Sequence, residues 1–162
     1  RVKPSEGNKT FCMAPWTHTY LSPQMERRLC CSSREDSKTF PQYIDTKSKT
    51  QPFKPDTLEE HWNSDYMKKI RVDLMAGKEI PQCQVCNHKL LSVATYRTHF
   101  NTLFEKNIDE AFAKTKDDGH TDMKVTSWDY RFNNLCNSCK PNAANFLNLK
   151  SGQRKSVKCN AS

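Results

Sequence analysis

Two cysteines separated by two residues constrain this chain more than any other feature. They sit in Lys78-Glu-Ile-Pro-Gln-Cys83-Gln-Val-Cys86-Asn-His-Lys89. Thiols at this spacing can face one soft metal ion from a single turn, but a closed tetrahedral site needs two more ligands. Cys12, in Phe11-Cys12-Met-Ala-Pro15-Trp16-Thr-His18, and Cys30, in the pair Cys30-Cys31, are the candidates. Residues 11–21 are rich in aromatic and apolar side chains with threonines between them, which suits a strand. A turn at Ser22-Pro23-Gln24 would return the chain over residues 27–31. Such a hairpin brings Cys12 at its entry close to Cys30 at its exit. The predicted metal ligands are therefore Cys12, Cys30, Cys83 and Cys86.

A metal would also answer a shortage of apolar burial. Only 35% of the 162 residues are hydrophobic and 27% are charged, so the core is thin for the length. Eight cysteines are too sparse for a small disulfide scaffold. Without a signal-peptide segment at Arg1-Val-Lys-Pro-Ser-Glu-Gly, thiolates on metal in a reducing cytoplasm are favoured over disulfides. The sequons at Asn8 and Asn160 are then read as chance. The net charge of +8 suits an anionic partner, nucleic acid included, yet the basic residues are scattered. Their densest group, Lys150, Arg154, Lys155 and Lys158, reads as a solvated tail, which ranks nucleic-acid binding below metal binding. No apolar run is long enough to span a membrane.

In chain order, residues 1–10 read as a flexible arm and residues 32–55, with three prolines, as a surface loop. Thr57-Leu-Glu-Glu60 is a capping-box helix start. A second helix is predicted over residues 65–76, with Tyr66, Met67, Ile70 and Leu74 on its packed face. Lys68, Lys69, Arg71 and Asp73 lie opposite, and Gly77 closes the helix. Residues 90–112 form a third helical region with Tyr96, Phe100, Leu103 and Phe104 on one face. A turn at residues 115–121 precedes a strand over residues 123–132, and one short helix follows Pro141. The expected architecture is α+β: a β-hairpin and about three helices around a four-cysteine metal site, with one further strand near the C-terminus.

Four thiolates suit zinc or an iron–sulfur cluster, and ligand type does not separate them. A thioredoxin-like role needs a strand before the two-cysteine motif, whereas a helix and a glycine turn come first here. Cys31 reads as a small packed residue and His18 as a hydrogen-bonded one beside Trp16. His88 is a lesser candidate to replace one thiolate. No nucleophile-elbow, zinc-protease or phosphate-loop pattern occurs, and four glycines leave no phosphate cradle.

Taken in order, these segments resemble the twitch-domain radical SAM proteins common in tailed-phage genomes. The resemblance rests on Phe11-Cys12, Pro15-Trp16 and His18, then Pro23 with Cys30-Cys31. It continues through Leu58, Glu60 and Trp62-Asn63-Ser64 to Ile80-Pro81, Cys83 and Cys86. Tyr96-Arg97 with Phe100-Asn101, and the stretch from Trp128 to Asn137, complete it across residues 11 to 145. It implies an auxiliary [4Fe–4S] cluster on Cys12, Cys30, Cys83 and Cys86 within residues 11–112. It also implies the start of a radical SAM core over residues 113–149, before a basic tail at 150–162.

The family's SAM cluster uses three cysteines, and this chain offers Cys136 and Cys139, the remnant of a cofactor-binding motif. Four residues lost between Asn137 and Ser138 would account for the third. Only residues 140–162 follow, too few for the barrel that holds S-adenosylmethionine, so SAM binding is expected only if the missing core exists. Met25 stands where the family's hairpin has glycine. The resemblance thus implies an iron–sulfur module, catalytically incomplete as it stands, that serves a peptide or protein substrate in an infected bacterial cytoplasm. One alternative is a zinc-stapled structural or interaction protein, such as a phage particle component. A basic nucleic-acid-binding protein is the other.

Overall fold

Pro15 decides how the first segment folds. A computed structural model of the chain describes residues 1–35, 56–89 and 94–131. Within it, residues 11–21 are not one strand. Ala14–Thr17 form a single helical turn, α1, and only His18–Leu21 are extended, as β1. Proline lacks an N–H and has its φ preset, so it suits the first turn of a helix better than a paired strand. The Thr17 hydroxyl donates back to the Met13 carbonyl at 2.9 Å and closes that turn. The expected hairpin is present but short. Strand β2, Arg27–Arg28, pairs antiparallel with β1, with Tyr20 opposite Arg28. In the connecting turn Met25 adopts φ 66, a left-handed conformation suited to glycine.

The α+β class holds, with more and shorter helices than expected. Thr57 caps α2, Leu58–Trp62, through the predicted reciprocal box with Glu60. Ser64 then caps α3, Asp65–Met75. Beyond it the Gly77 N–H donates to the Leu74 carbonyl and the Lys78 N–H to the Asp73 carbonyl, at 3.2 and 2.9 Å. Gly77, at φ 74, supplies the left-handed residue this closure requires. Met67, Ile70 and Leu74 are buried as the spacing predicts. Arg71, placed by periodicity on the outer face, is instead fully buried.

The two-cysteine motif is not a bare turn. Pro81–Cys83 make a 3-10 turn that runs into α4, Gln84–His88. The third helical region is broken into α5, Tyr96–Leu103, a 3-10 turn over Glu105–Asn107, and α6, Ile108–Ala113. On α5 the buried positions are Arg97 and Phe100, while Tyr96 and Leu103 face solvent. The last described strand, β3, covers Ser127–Tyr130 and pairs parallel with β1, in the sheet order β2-β1-β3. Its alternation is real but inverted. Trp128 and Tyr130 are exposed, whereas Ser127 turns inward to meet His18 Nδ1 at 3.0 Å.

Residues 1–10, expected as a flexible arm, are tied to the body. The Val2 N–H donates to the Met75 carbonyl at 2.8 Å, and Asn8 Nδ2 donates to the Leu74 carbonyl at 2.7 Å. Residues 1–132 make one compact unit, so the boundary expected at residue 113 falls inside it. Cys136, Cys139, most of the expected 32–55 loop, the helix after Pro141 and the basic tail lie outside the described residues. Among the described residues no helix is long and apolar enough to cross a membrane.

The turn between α6 and β3 docks on α3 through Gly119. A Cβ on Gly119 would lie 2.1 Å from the Lys68 carbonyl oxygen, and the residue sits at φ 88. Gly119→Ala therefore meets both a backbone clash and an unfavourable φ. It is expected to lower stability by about 2–4 kcal/mol in urea denaturation. A variant as stable as the wild type would mean that this turn does not rest on α3.

Candidate metal centre

Each of the four predicted cysteines is held by a different local device. Cys12 lies in a loop pinned from both ends. Upstream, Asn8 Oδ1 accepts the Thr10 and Phe11 N–H groups, both at 3.0 Å. From α5, the Asn101 carboxamide grips the residues on either side of Cys12. Its Oδ1 accepts the Met13 N–H at 2.8 Å and its Nδ2 donates to the Phe11 carbonyl at 2.9 Å. Cys30 leaves β2 in a turn in which its carbonyl accepts the Ser33 N–H and hydroxyl. Cys83 closes the 3-10 turn started by Pro81, its N–H donating to the Ile80 carbonyl at 3.1 Å. Cys86 lies on α4. The Arg34 N–H donates to the Gln82 carbonyl at 3.1 Å, which joins the chain beyond Cys30 to the Cys83 segment.

All four are buried free thiols. Burial pushes the Cys12 thiol up to about 12, and the charges of Cys83 and Cys86 add to that. Cys30 is raised well above the ordinary range by burial and then by Cys12 and Cys83. Cys83 is raised as well, by burial first and less by Cys86. Cys12, Cys30 and Cys83 thus each feel the charge of at least one other cysteine of the set. Among the described residues, however, no group of three or more His, Cys, Asp or Glu side chains is set to hold a metal ion.

The other candidates resolve differently. His18 is a packed residue, as expected, but its ring lies 4.6 Å from the Phe100 ring, while Trp16 stacks on Phe11 instead. His88 is exposed at the end of α4. Cys31 is half-buried beside the Tyr96 hydroxyl.

A residue assigned no role from its spacing, Arg97, stands beside the thiols. Its side chain is 3% exposed. Its Nη1 donates to the Lys9 carbonyl at 3.1 Å and its Nη2 to Asn87 Oδ1 at 2.5 Å, while Nε has no partner. The guanidinium favours the thiolate of Cys83 by charge and as a hydrogen-bond donor, and that of Cys12 by charge. Glu35 acts on Cys83 by charge in the opposite sense. Its Oε1 accepts the Tyr66 hydroxyl at 2.5 Å and its buried Oε2 has no partner. A cavity of about 420 Å³ opens beside Cys86, between Ser32, Val85, Thr95, Tyr96 and His99.

Comparison with protein-family models, curated proteins and solved structures finds no match for the chain. The chemistry of the site rests on its own residues. Four buried thiols are the donor type that a thiophilic centre takes, but among the described residues no three of them are set around one ion.

Proposed function

We propose that this chain is the auxiliary iron–sulfur module of a radical-SAM-like protein, with a [4Fe–4S] cluster held by Cys12, Cys30, Cys83 and Cys86. One observation carries the reading. The Tyr96-Arg97-Thr-His-Phe100-Asn101 stretch places Asn101 on both flanks of Cys12 and Arg97 against Cys83, so a single helix serves both halves of the cysteine set. The left-handed Met25 adds support, since the resembling family has glycine there. A mononuclear zinc site demands sulfurs roughly 3.8 Å apart, from Zn–S bonds of about 2.3 Å in a tetrahedron. A cluster has bulk of its own and spreads its four thiolates further apart than a single ion does.

When bound, a fully thiolate-ligated cluster supplies electron transfer or structural support, and one open iron would allow substrate binding. The chain's own contribution is to fix the four thiols, exclude water from them and leave the Cys86 side accessible through the cavity. A peptide or protein substrate, met in an infected bacterial cytoplasm or a phage particle, would approach there. SAM chemistry requires Cys136, Cys139 and a core beyond them.

Anaerobic reconstitution of the full chain with iron and sulfide tests this. The protein is expected to turn brown and to bind about four irons and four sulfides. Cys12→Ala or Cys83→Ala should reduce occupancy at least about tenfold, because an incomplete ligand set holds the cluster weakly. Cys31→Ala should leave it intact. Colourless protein carrying a single zinc would replace this reading with a zinc-stapled structural role.

A further inference from the structure

One face of α4 borders a groove that no Asp or Glu lines. Val85, His88 and Lys89 fall at three- and four-residue steps along α4 and its C-terminal cap. With Arg34 and Gln84 they line a cavity of about 290 Å³. Val85 and Lys89 also line the larger cavity beside Cys86, so the two adjoin along α4. The opposite walls are pinned from outside that helix. The Arg34 N–H donates to the Gln82 carbonyl at 3.1 Å, and the Thr95 hydroxyl accepts the Thr98 N–H at 3.2 Å. That cap starts α5 at Tyr96, which is 45% exposed.

The two ends of the groove differ in chemistry. The larger cavity offers Val85, Ala94 and the Tyr96 ring, whereas the smaller one holds Arg34, Lys89 and the His88 imidazole. Among the described residues neither Arg34 nor Lys89 has a carboxylate partner. Fixed cations without counter-ions, at the edge of an apolar cavity, favour an anionic partner with an apolar anchor.

We propose that this groove binds an acidic peptide segment, with one apolar or aromatic side chain in the larger cavity and neighbouring carboxylates at Arg34 and Lys89. The inference rests on the peptide or protein substrate of the reading above and names its chemistry; it does not require a cluster on the cysteines. The Arg34 guanidinium can take a carboxylate with two parallel hydrogen bonds, and Lys89, which borders both cavities, supplies a second point charge. A single-stranded nucleic acid fits less well. It needs several phosphate contacts along a basic track and rings on which successive bases stack. Here the two fixed cations make a local patch. Elsewhere Lys3, Lys68, Lys69, Lys78 and Lys114 are each already paired with a carboxylate.

The test is fluorescence anisotropy with a labelled synthetic peptide in which one phenylalanine is flanked by aspartates and glutamates. The full chain is used both as purified and after reconstitution with iron and sulfide. The same peptide with every carboxylate changed to its amide, and a labelled oligothymidylate, are the comparisons. The acidic peptide is expected to bind at least about fivefold more tightly than its amide form. Arg34→Gln combined with Lys89→Gln should remove that difference, and Tyr96→Ala should weaken binding about fivefold. Lys106→Gln combined with Lys116→Gln removes the same charge from residues outside the groove and should change nothing. Arg34, Lys89 and Tyr96 are exposed, so their variants should keep the wild-type urea midpoint. Equal binding of the acidic and amide peptides, or equal losses in the two double variants, overturns the proposal. So does oligothymidylate that binds at least as tightly as the acidic peptide and is released by the Arg34 and Lys89 substitutions, which would make the groove a nucleic-acid site. Failure of the acidic peptide to bind protein that takes up iron and sulfide overturns this inference alone. Peptide binding by protein that takes up neither overturns the cluster reading and leaves the groove standing.

Discussion

Acidification from pH 6.5 to pH 5 is expected to cost this protein roughly 3 kcal/mol of stability, through His18 and His61. Both are almost fully buried, at 5% and 2% exposure. Burial pushes His18 down to about 4, with His99 adding to the effect and Asp129 opposing it. Burial, and then Arg27 and Arg71, push His61 down to about 3. In the unfolded chain both would titrate near the ordinary value of about 6.5. Between that value and the depressed folded values the unfolded chain holds more protons, so stability falls as pH falls. Each histidine contributes up to about 1.4 kcal/mol per pH unit in that window, and the loss levels off only below the folded values.

Glu35 acts in the opposite sense. Burial raises its carboxyl, so the folded state takes up its proton first and gains stability on acidification. The decisive readout is therefore a comparison of urea-denaturation midpoints across pH for wild type, His18→Gln and His61→Gln. Each substitution should flatten the slope between pH 6.5 and pH 5 by about half. Identical slopes in all three proteins would show that neither imidazole is held neutral by the fold.

Much of the local structure was legible because it depends on neighbours in sequence. The Thr57 cap, the Gly77 closure and the tight return after Ser22 each follow from a few adjacent residues. Pro15 was equally local, but the aromatic composition around it outweighed its preference for a first helical turn. The partner of β3 was not legible, since parallel pairing with β1 joins segments more than a hundred residues apart. At the site, the spacing named the four thiols but not the clamps. Asn101 and Arg97 entered only as letters of a family pattern. Their roles appear once α5 is laid against the Cys12 loop. Periodicity also failed at Arg71, which shares the nominal outer face of α3 with Lys68 and Lys69. A long side chain there gave no sign that three carbonyls would surround it.

Those carbonyls make Arg71→Met the substitution with the largest expected structural effect, a loss of about 4 kcal/mol or more in urea denaturation. Arg71 is fully buried. Its Nε donates to the Pro15 carbonyl at 2.9 Å and its Nη2 to the Trp62 carbonyl at 2.6 Å. Its Nη1 is shared between Asn63 Oδ1 at 2.9 Å and the Gly119 carbonyl at 3.2 Å. The guanidinium also lies 4.9 Å from the centre of the Trp62 ring. One side chain therefore joins α1, the end of α2, the link to α3 and the turn that carries Gly119. Desolvation opposes it, lowering its affinity for a proton to about 9. Hydrogen bonds to a charged donor are worth about 1.5–3 kcal/mol each, and each buried acceptor left without a donor costs about 1–3 kcal/mol. Four such bonds outweigh the cost of burying the charge, and methionine fills the space without replacing any donor. Arg71→Lys should fall between, because a single ammonium cannot span acceptors on four segments. Because α1 follows Cys12 directly, Arg71→Met should also loosen the thiol set, seen as faster alkylation of Cys12 in metal-free protein. A methionine variant within about 1 kcal/mol of wild type would show that the guanidinium fills space without holding these segments together.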